Sequence, residues 1–290
     1  MQRTRSRLAL AVAILSVMGL AAACAPSAPS SQSWTFRANS VTVNDSQDEV
    51  RGLFGECIPL EVLNGCKDEP YTLNIGFRVK IGAAGSASTE VVNNRTDAPE
   101  NIPAGSTVTL TGNQQNAITW NNIKPLDVVD LASSSNKLEV VGVYSWASEE
   151  DFVGNGLAAD SVANILEDAL NSTLAAGTLP NDVNDILAMI LDHIGDALGV
   201  LVQNIPLLGL GDDVLGGALY LGIGAKGGLA DIINDATAST PPITLAIPLV
   251  ELPPDIVGGG FFTFKNSTNF TQSFSGAGGQ HTYNFGVSRN

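Results

Sequence analysis

Residues 71–82, YTLNIGFRVKIG, alternate apolar and polar or small positions without a break, and that alternation constrains the fold more than any other stretch. Side chains of an extended strand point alternately to its two sides, so Tyr71, Leu73, Ile75, Phe77, Val79 and Ile81 share one face. A strand with one apolar face needs sheet neighbours and a second layer to cover it. Similar segments surround it. In WTFRANSVTV, Trp34, Phe36 and Ala38 alternate with Thr35, Arg37 and Asn39, and STEVVNN, STVTLTG and KLEVVGVYSW share its richness in Val and Thr. After Pro241 and Pro242 the texture returns in ITLAIPLVEL, GGFFTFKNS and TYNFGVSR, with Gly276–Gly279 forming a hairpin loop before the last.

The middle of the chain has a different period. Leu157, Val162, Ile165, Leu166, Ala169, Leu170 and Leu174 recur at helical steps, as do Ile186, Met189, Ile190, Ile194, Ala197, Val200 and Leu201. Asn181 suits an N-cap for the second run, with Asp182 and Asp185 in its first turn. Asp185, Asp192 and Asp196 share the opposite, wet face. A third segment, GDDVLGGALYLGIGAKGGLADIIND, is less defined, because each of its Gly weakens a helix by about 1 kcal/mol relative to Ala. The expected fold class is mainly β with α: an antiparallel β-sandwich made of residues 34–148 and 237–290, interrupted by an α-helical insertion at 149–236.

The N-terminus carries an export pattern. Arg3, Arg5 and Arg7 precede the uncharged run LALAVAILSVMGLAAA, a signal peptide over residues 1–23 that is short for a membrane span of about 20 residues. The following LAAAC (20–24) resembles the lipobox of bacterial lipoproteins, which implies that Cys24 carries the lipid and anchors the chain to the membrane. Residues 24–33, rich in Pro and Ser, read as a tether. Of the three Cys, Cys57 and Cys66 are close enough in sequence to pair in an oxidising compartment, which leaves Cys24 over for acylation. The expected location is the outer face of the cytoplasmic membrane, or free secretion if cleavage follows Ala23 instead.

Charge narrows the partners. The chain has a formal charge of −15, and removing residues 1–23 takes away three Arg and no acid, leaving −18. Such a chain repels polynucleotides, so no nucleic-acid partner is expected. Acids gather at two strand ends, in VNDSQDE…GCKDEPY and in VYSWASEEDFVG. Loop carboxylates that converge can supply the six to eight hard oxygens a calcium ion takes. Acid-Pro-Tyr opening a strand, with Asp-Phe-Val-Gly after a strand ending in Val-Tyr, resembles the calcium-dependent phospholipid-binding β-sandwich domains. That resemblance implies Glu69 and Asp151 as calcium ligands and puts Asp45 in the place of a first-loop Asp. Asp68 adjoins them. Ser145 and Ala147 stand where that family has two further Asp.

Other patterns carry less. GIGAKG (222–227) has the spacing of a nucleotide-binding turn, which needs a strand before it and a helix after it. Ser134 and Lys137 have the penicillin-binding spacing without its companion motifs. His193 interrupts a buried helical stripe and His281 begins the last strand. G-x-S-x-G is absent and no Cys is left for catalysis, so a non-enzymatic envelope lipoprotein binding an unknown protein or surface ligand, with Ca²⁺ as its only candidate cofactor, is the first reading. Two alternatives remain open: a wall-polymer hydrolase using Asp and Glu alone, for which 6% aromatics provides few sugar platforms, and a lipid-binding helical block. Against the last, residues 149–236 hold 14 acids and one Lys.

Overall fold

The alternation of WTFRANSVTV becomes β1 (Gln32–Asp45), which runs antiparallel to β12 (Gly279–Arg289) along almost its whole length. This pairing joins the two expected halves of the sandwich in one sheet. The computed structural model describes residues 30–46, 67–149, 157–180, 182–204, 213–238, 256–276 and 279–290. The other strands are β2 (Lys67–Asp68), β3 (Pro70–Lys80), β4 (Ser88–Val92), β5 (Ile102–Pro103), β6 (Thr107–Thr109) and β7 (Ile118–Ile123). They continue as β8 (Glu139–Glu149), β9 (Asp213–Ile223), β10 (Ile256–Thr263) and β11 (Thr268–Gly276). The helices are α1 (Leu157–Ser172), α2 (Val183–Asn204) and α3 (Gly227–Ala238).

Two five-stranded sheets form. In the first, β11, β12 and β1 are neighbours, and β6 and β7 both pair with the other edge of β1. The second has the order β10-β9-β8-β3-β4. It is mixed rather than antiparallel throughout, because β10 runs parallel to β9. A parallel neighbour needs a long crossover, and α3 lies on that connection. A small β2–β5 pair sits apart from both sheets.

The second sheet is the middle layer of three. On one side its Val141, Val143, Ala218, Tyr220 and Phe262 meet Trp34, Phe36, Trp120, Phe274 and Phe285 of the first sheet. Aromatic contacts run through this core, among them Phe36–Phe285 with ring centroids at 5.3 Å and Phe36–Tyr220 at 5.0 Å. On the other side, the helices lay Leu166, Leu170, Ile186, Ile190, Ile194, Leu229 and Ile233 over it. The stripe from Tyr71 to Ile81 faces these helices and not the first sheet. Period two identifies the residues that share a face; which layer covers that face depends on elements far away in sequence.

Every residue of β8 is buried, as a strand between two layers requires. The same position explains β9, which forms where the third segment of the expected helical insertion lies. Leu219, Leu221 and Ile223 face the helices while Ala218 and Tyr220 face the first sheet, so the sequence shows no alternation of apolar and polar residues. Helix α2 follows its pattern: Ile186, Ile190, Ile194 and Ala197 are buried, and Asp185, Asp192 and Asp196 are exposed. Its first turn is capped by Asp182, whose Oδ1 accepts from the Asn184 amide at 2.8 Å. Asn181 lies outside the described residues.

Candidate functional site

One end of the sandwich holds three of the acids singled out in the sequence, Asp45, Asp68 and Glu69. There β1 leaves at Asp45, β2 leads into β3 at Pro70, and β12 begins. The inward stripe of β12 reads His281, Tyr283, Phe285, Val287, so His281 is the outermost inward-facing side chain at this rim. Its Nε2 lies 2.6 Å from Asp68 Oδ2, and Ser46 Oγ donates to Asp68 Oδ1. His281 and Asp68 are 0% exposed and Ser46 is 1% exposed. One step further in, the Tyr283 hydroxyl donates to the Tyr71 carbonyl oxygen at 3.0 Å. Burial, with Tyr71 and Asp68 adding to it, pushes the Tyr283 hydroxyl well above the usual tyrosine range, so it stays a neutral donor. The rim is thus closed by polar bonds: Asp68 ties the β2–β5 pair to the first sheet, and Tyr283 bonds across to the second.

The two other described candidates, Glu69 and Asp45, have neighbours of their own. Glu69 is half-buried and accepts from the Asn101 amide at 3.1 Å. Asp45 is half-buried, in register with Gln280. Asp151, Cys24, Cys57 and Cys66 lie outside the described residues. Asp68, expected as a rim carboxylate offered to a cation, is buried with each oxygen bonded to a side chain at the edge of the first sheet. His281, its partner, was recognisable in principle: an imidazole in phase with Tyr283, Phe285 and Val287 must face inward, and a buried polar group needs a partner.

A wider polar layer lies behind Asp68. Thr72 and Asn74 of β3 and Ser145 of β8 face the first sheet and are buried. Asn74 Nδ2 donates to the Asn116 carbonyl at 2.7 Å. Among the described residues, Thr72 Oγ1, Asn74 Oδ1, Ser145 Oγ and His281 Nδ1 have no hydrogen-bond partner.

The Gly-rich turn meets the context its motif demands, since it joins β9 to α3 and β10 runs parallel beyond. Yet the chain fills the anion position itself. Asp127 Oδ1 accepts from Val128 N at 2.8 Å and lies 3.4 Å from Leu229 N, at the start of α3. Gly227 has φ +52°, and a Cβ there would lie 2.0 Å from Asp127 Oδ2. A helix N-terminus attracts an anion, and here the anion is a carboxylate of this protein. Asp127→Ala is expected to cost about 1–2 kcal/mol, the range for a lost N-cap, as read by urea unfolding. A shift below a few tenths would show that the carboxylate does not hold the helix.

On α2, Asp192, His193 and Asp196 bring their ligand atoms within 4.8 Å of one another, with both Asp exposed. Ser134 and Lys137 are exposed in a loop. Among the described residues, no helix is long and apolar enough to cross a membrane. No family model matches the chain, nor does any curated protein or solved structure.

Proposed function

We propose that this protein is an exported, lipid-anchored envelope lipoprotein whose sandwich serves as a binding module held off the membrane. The observation that carries the reading is where the tether meets the sandwich, at the pole of β1 opposite the Asp68–His281 rim. In sequence the Pro/Ser-rich tether precedes β1 directly, and at that pole Ser33 O accepts from Asn290 N at 2.9 Å. The Asp68–His281 rim lies at the other end of β1. With 14 residues at about 3.3 Å each, that strand separates the two poles by roughly 45 Å. Anchoring through Cys24 would leave the rim and both flanks of the sandwich clear of the bilayer. Cys24→Ser is expected to move the protein from the detergent phase to the aqueous phase on Triton X-114 partitioning and to abolish labelling by radioactive palmitate. Wild-type protein found in the aqueous phase without label would overturn the anchor.

The calcium component of this reading rests on Asp45, Glu69 and Asp151 without Asp68. A rim site filled at 100 times its Kd adds about 2.7 kcal/mol to stability. A melting curve indifferent to millimolar calcium and to chelator removes calcium from the function.

A further inference from the structure

The acids of this chain are distributed unevenly. Of its 29 Asp and Glu, the five strands of the first sheet carry one, Asp45 at the far end of β1. The outward side of that sheet is built instead of Ser, Thr, Asn and Gln. Six amides lie on it: Asn39, Asn44, Asn121, Asn269, Gln280 and Asn284. Arg37 is the charged side chain near its middle, and Asp45 lies beside Gln280 at the rim. A protein of formal charge −15 that merely needed a wet surface had every reason to place carboxylates here.

The face is also ordered before any ligand arrives. Thr42 and Thr107 hydroxyls lie 2.7 Å apart, Ser273 and Thr282 hydroxyls 2.8 Å apart, and Asn44 Nδ2 donates to Thr282 Oγ1 at 2.6 Å. Near its middle is a notch. Gly286 of β12 is the register partner of Arg37 on β1 and of Asn269 on β11. A Cβ at Gly286 would lie 2.6 Å from Asn39 Nδ2 and 3.1 Å from Asn269 Oδ1, and Arg37 Nε donates to Asn39 Oδ1 at 3.3 Å. Two side chains, Asn39 and Asn269, thus lean over a position that only glycine leaves clear.

We propose that this face binds an uncharged, hydroxyl-rich polysaccharide, centred on the amides around Gly286. Amides and hydroxyls both donate and accept, as sugar hydroxyls do. Cross-strand bonds already hold the hydroxyls of Thr42, Thr107, Ser273 and Thr282 and the amides of Asn44 and Asn121, so these groups lose little side-chain entropy on contact. The net negative field repels anionic polymers and leaves neutral ones indifferent. The tryptophans Trp34 and Trp120 point into the core, so ring stacking contributes nothing and single contacts are weak; many anchored copies on one polymer make them hold. The inference rests on the proposed envelope-binding role and adds the ligand class.

The test is affinity electrophoresis of the full-length, detergent-solubilised protein through gels containing mannan, galactan, arabinan or β-glucan, with polygalacturonate as the anionic control. At least one neutral polymer is expected to retard it. Asn269→Asp with Asn284→Asp, isosteric and on the face, is expected to weaken that retardation about tenfold. Thr107→Asp, an exposed change on β6, should weaken it in the same direction if the double variant fails to fold. Retardation by polygalacturonate alone, by no polymer, or equally in the acid variants overturns the proposal. Partitioning with detergent is scored separately, so loss of the ligand and loss of the anchor are told apart.

Discussion

Asp68→Ala is expected to destabilise the protein by about 3 kcal/mol, since two buried groups lose their shared partner at about 1–3 kcal/mol each. The loss has two parts. Ser46 Oγ and His281 Nε2 lose their shared acceptor, and both stay inside, at 1% and 0% exposure. Water cannot repair the deficit without opening the rim. In a chain of this size each kcal/mol moves Tm by about 2–4 °C, so a fall on the order of 10 °C should be visible in a thermal melt. His281→Ala should act in the same direction. The double variant Asp68→Leu with His281→Leu should recover part of the loss, because it no longer leaves the imidazole buried without its partner, although Ser46 Oγ still lacks its acceptor. A single-variant change under about 1 kcal/mol would mean the rim is hydrated and the Asp68 bonds dispensable.

A comparable loss is expected from a valine at either of two glycines in the middle sheet. Gly142 lies opposite Phe77, and a Cβ there would sit 2.2 Å from Phe77 Cζ. Gly222 lies opposite Phe262, and its Cβ would sit 2.3 Å from Phe262 Cε2 and 2.7 Å from Val141 Cγ2. Phe77 packs toward the helices and Phe262 toward the first sheet, so the same device serves both cores. Each ring lies across its neighbour's backbone in space a side chain would need. Gly142→Val and Gly222→Val are each expected to cost about 3 kcal/mol, the upper end of ordinary overpacking. Combining Gly142→Val with Phe77→Ala should restore part of that, since the ring that clashes is gone. If the combined variant is less stable than Gly142→Val alone, the clash is not the cause.

These two sites also mark what the sequence could and could not convey. The Tyr71–Ile81 stripe, the β1 alternation and the helical steps from Ile186 to Ile194 were legible because each element has one covered face. β9 was not, because Leu219, Tyr220, Leu221 and Gly222 are covered on both sides and its glycines weaken any local preference. β11 was hidden for the opposite reason: in TNFTQSFSG only Phe270 and Phe274 are strongly apolar, and Gln272 occupies the inward position between them. At the rim, the sequence marked Asp68 as an acid at a strand end. Whether it faced solvent or the interior depended on His281, more than two hundred residues later. Spacing cannot report a contact made only after the sheets have stacked.

The pairing of β1 with β12 also governs when the molecule can close. A chain that emerges from its amino end holds β1 early and receives β12 last, and their register partners include Trp34 with Arg289. Until then the aromatic face of Tyr220 and Phe262 has half its cover missing, while the helices can already dock on the other side. Contacts this distant in sequence form slowly, and an uncovered aromatic sheet is prone to capture by neighbouring chains. Synthesis therefore leaves that aromatic face half-covered until β12 follows the rest of the sheet.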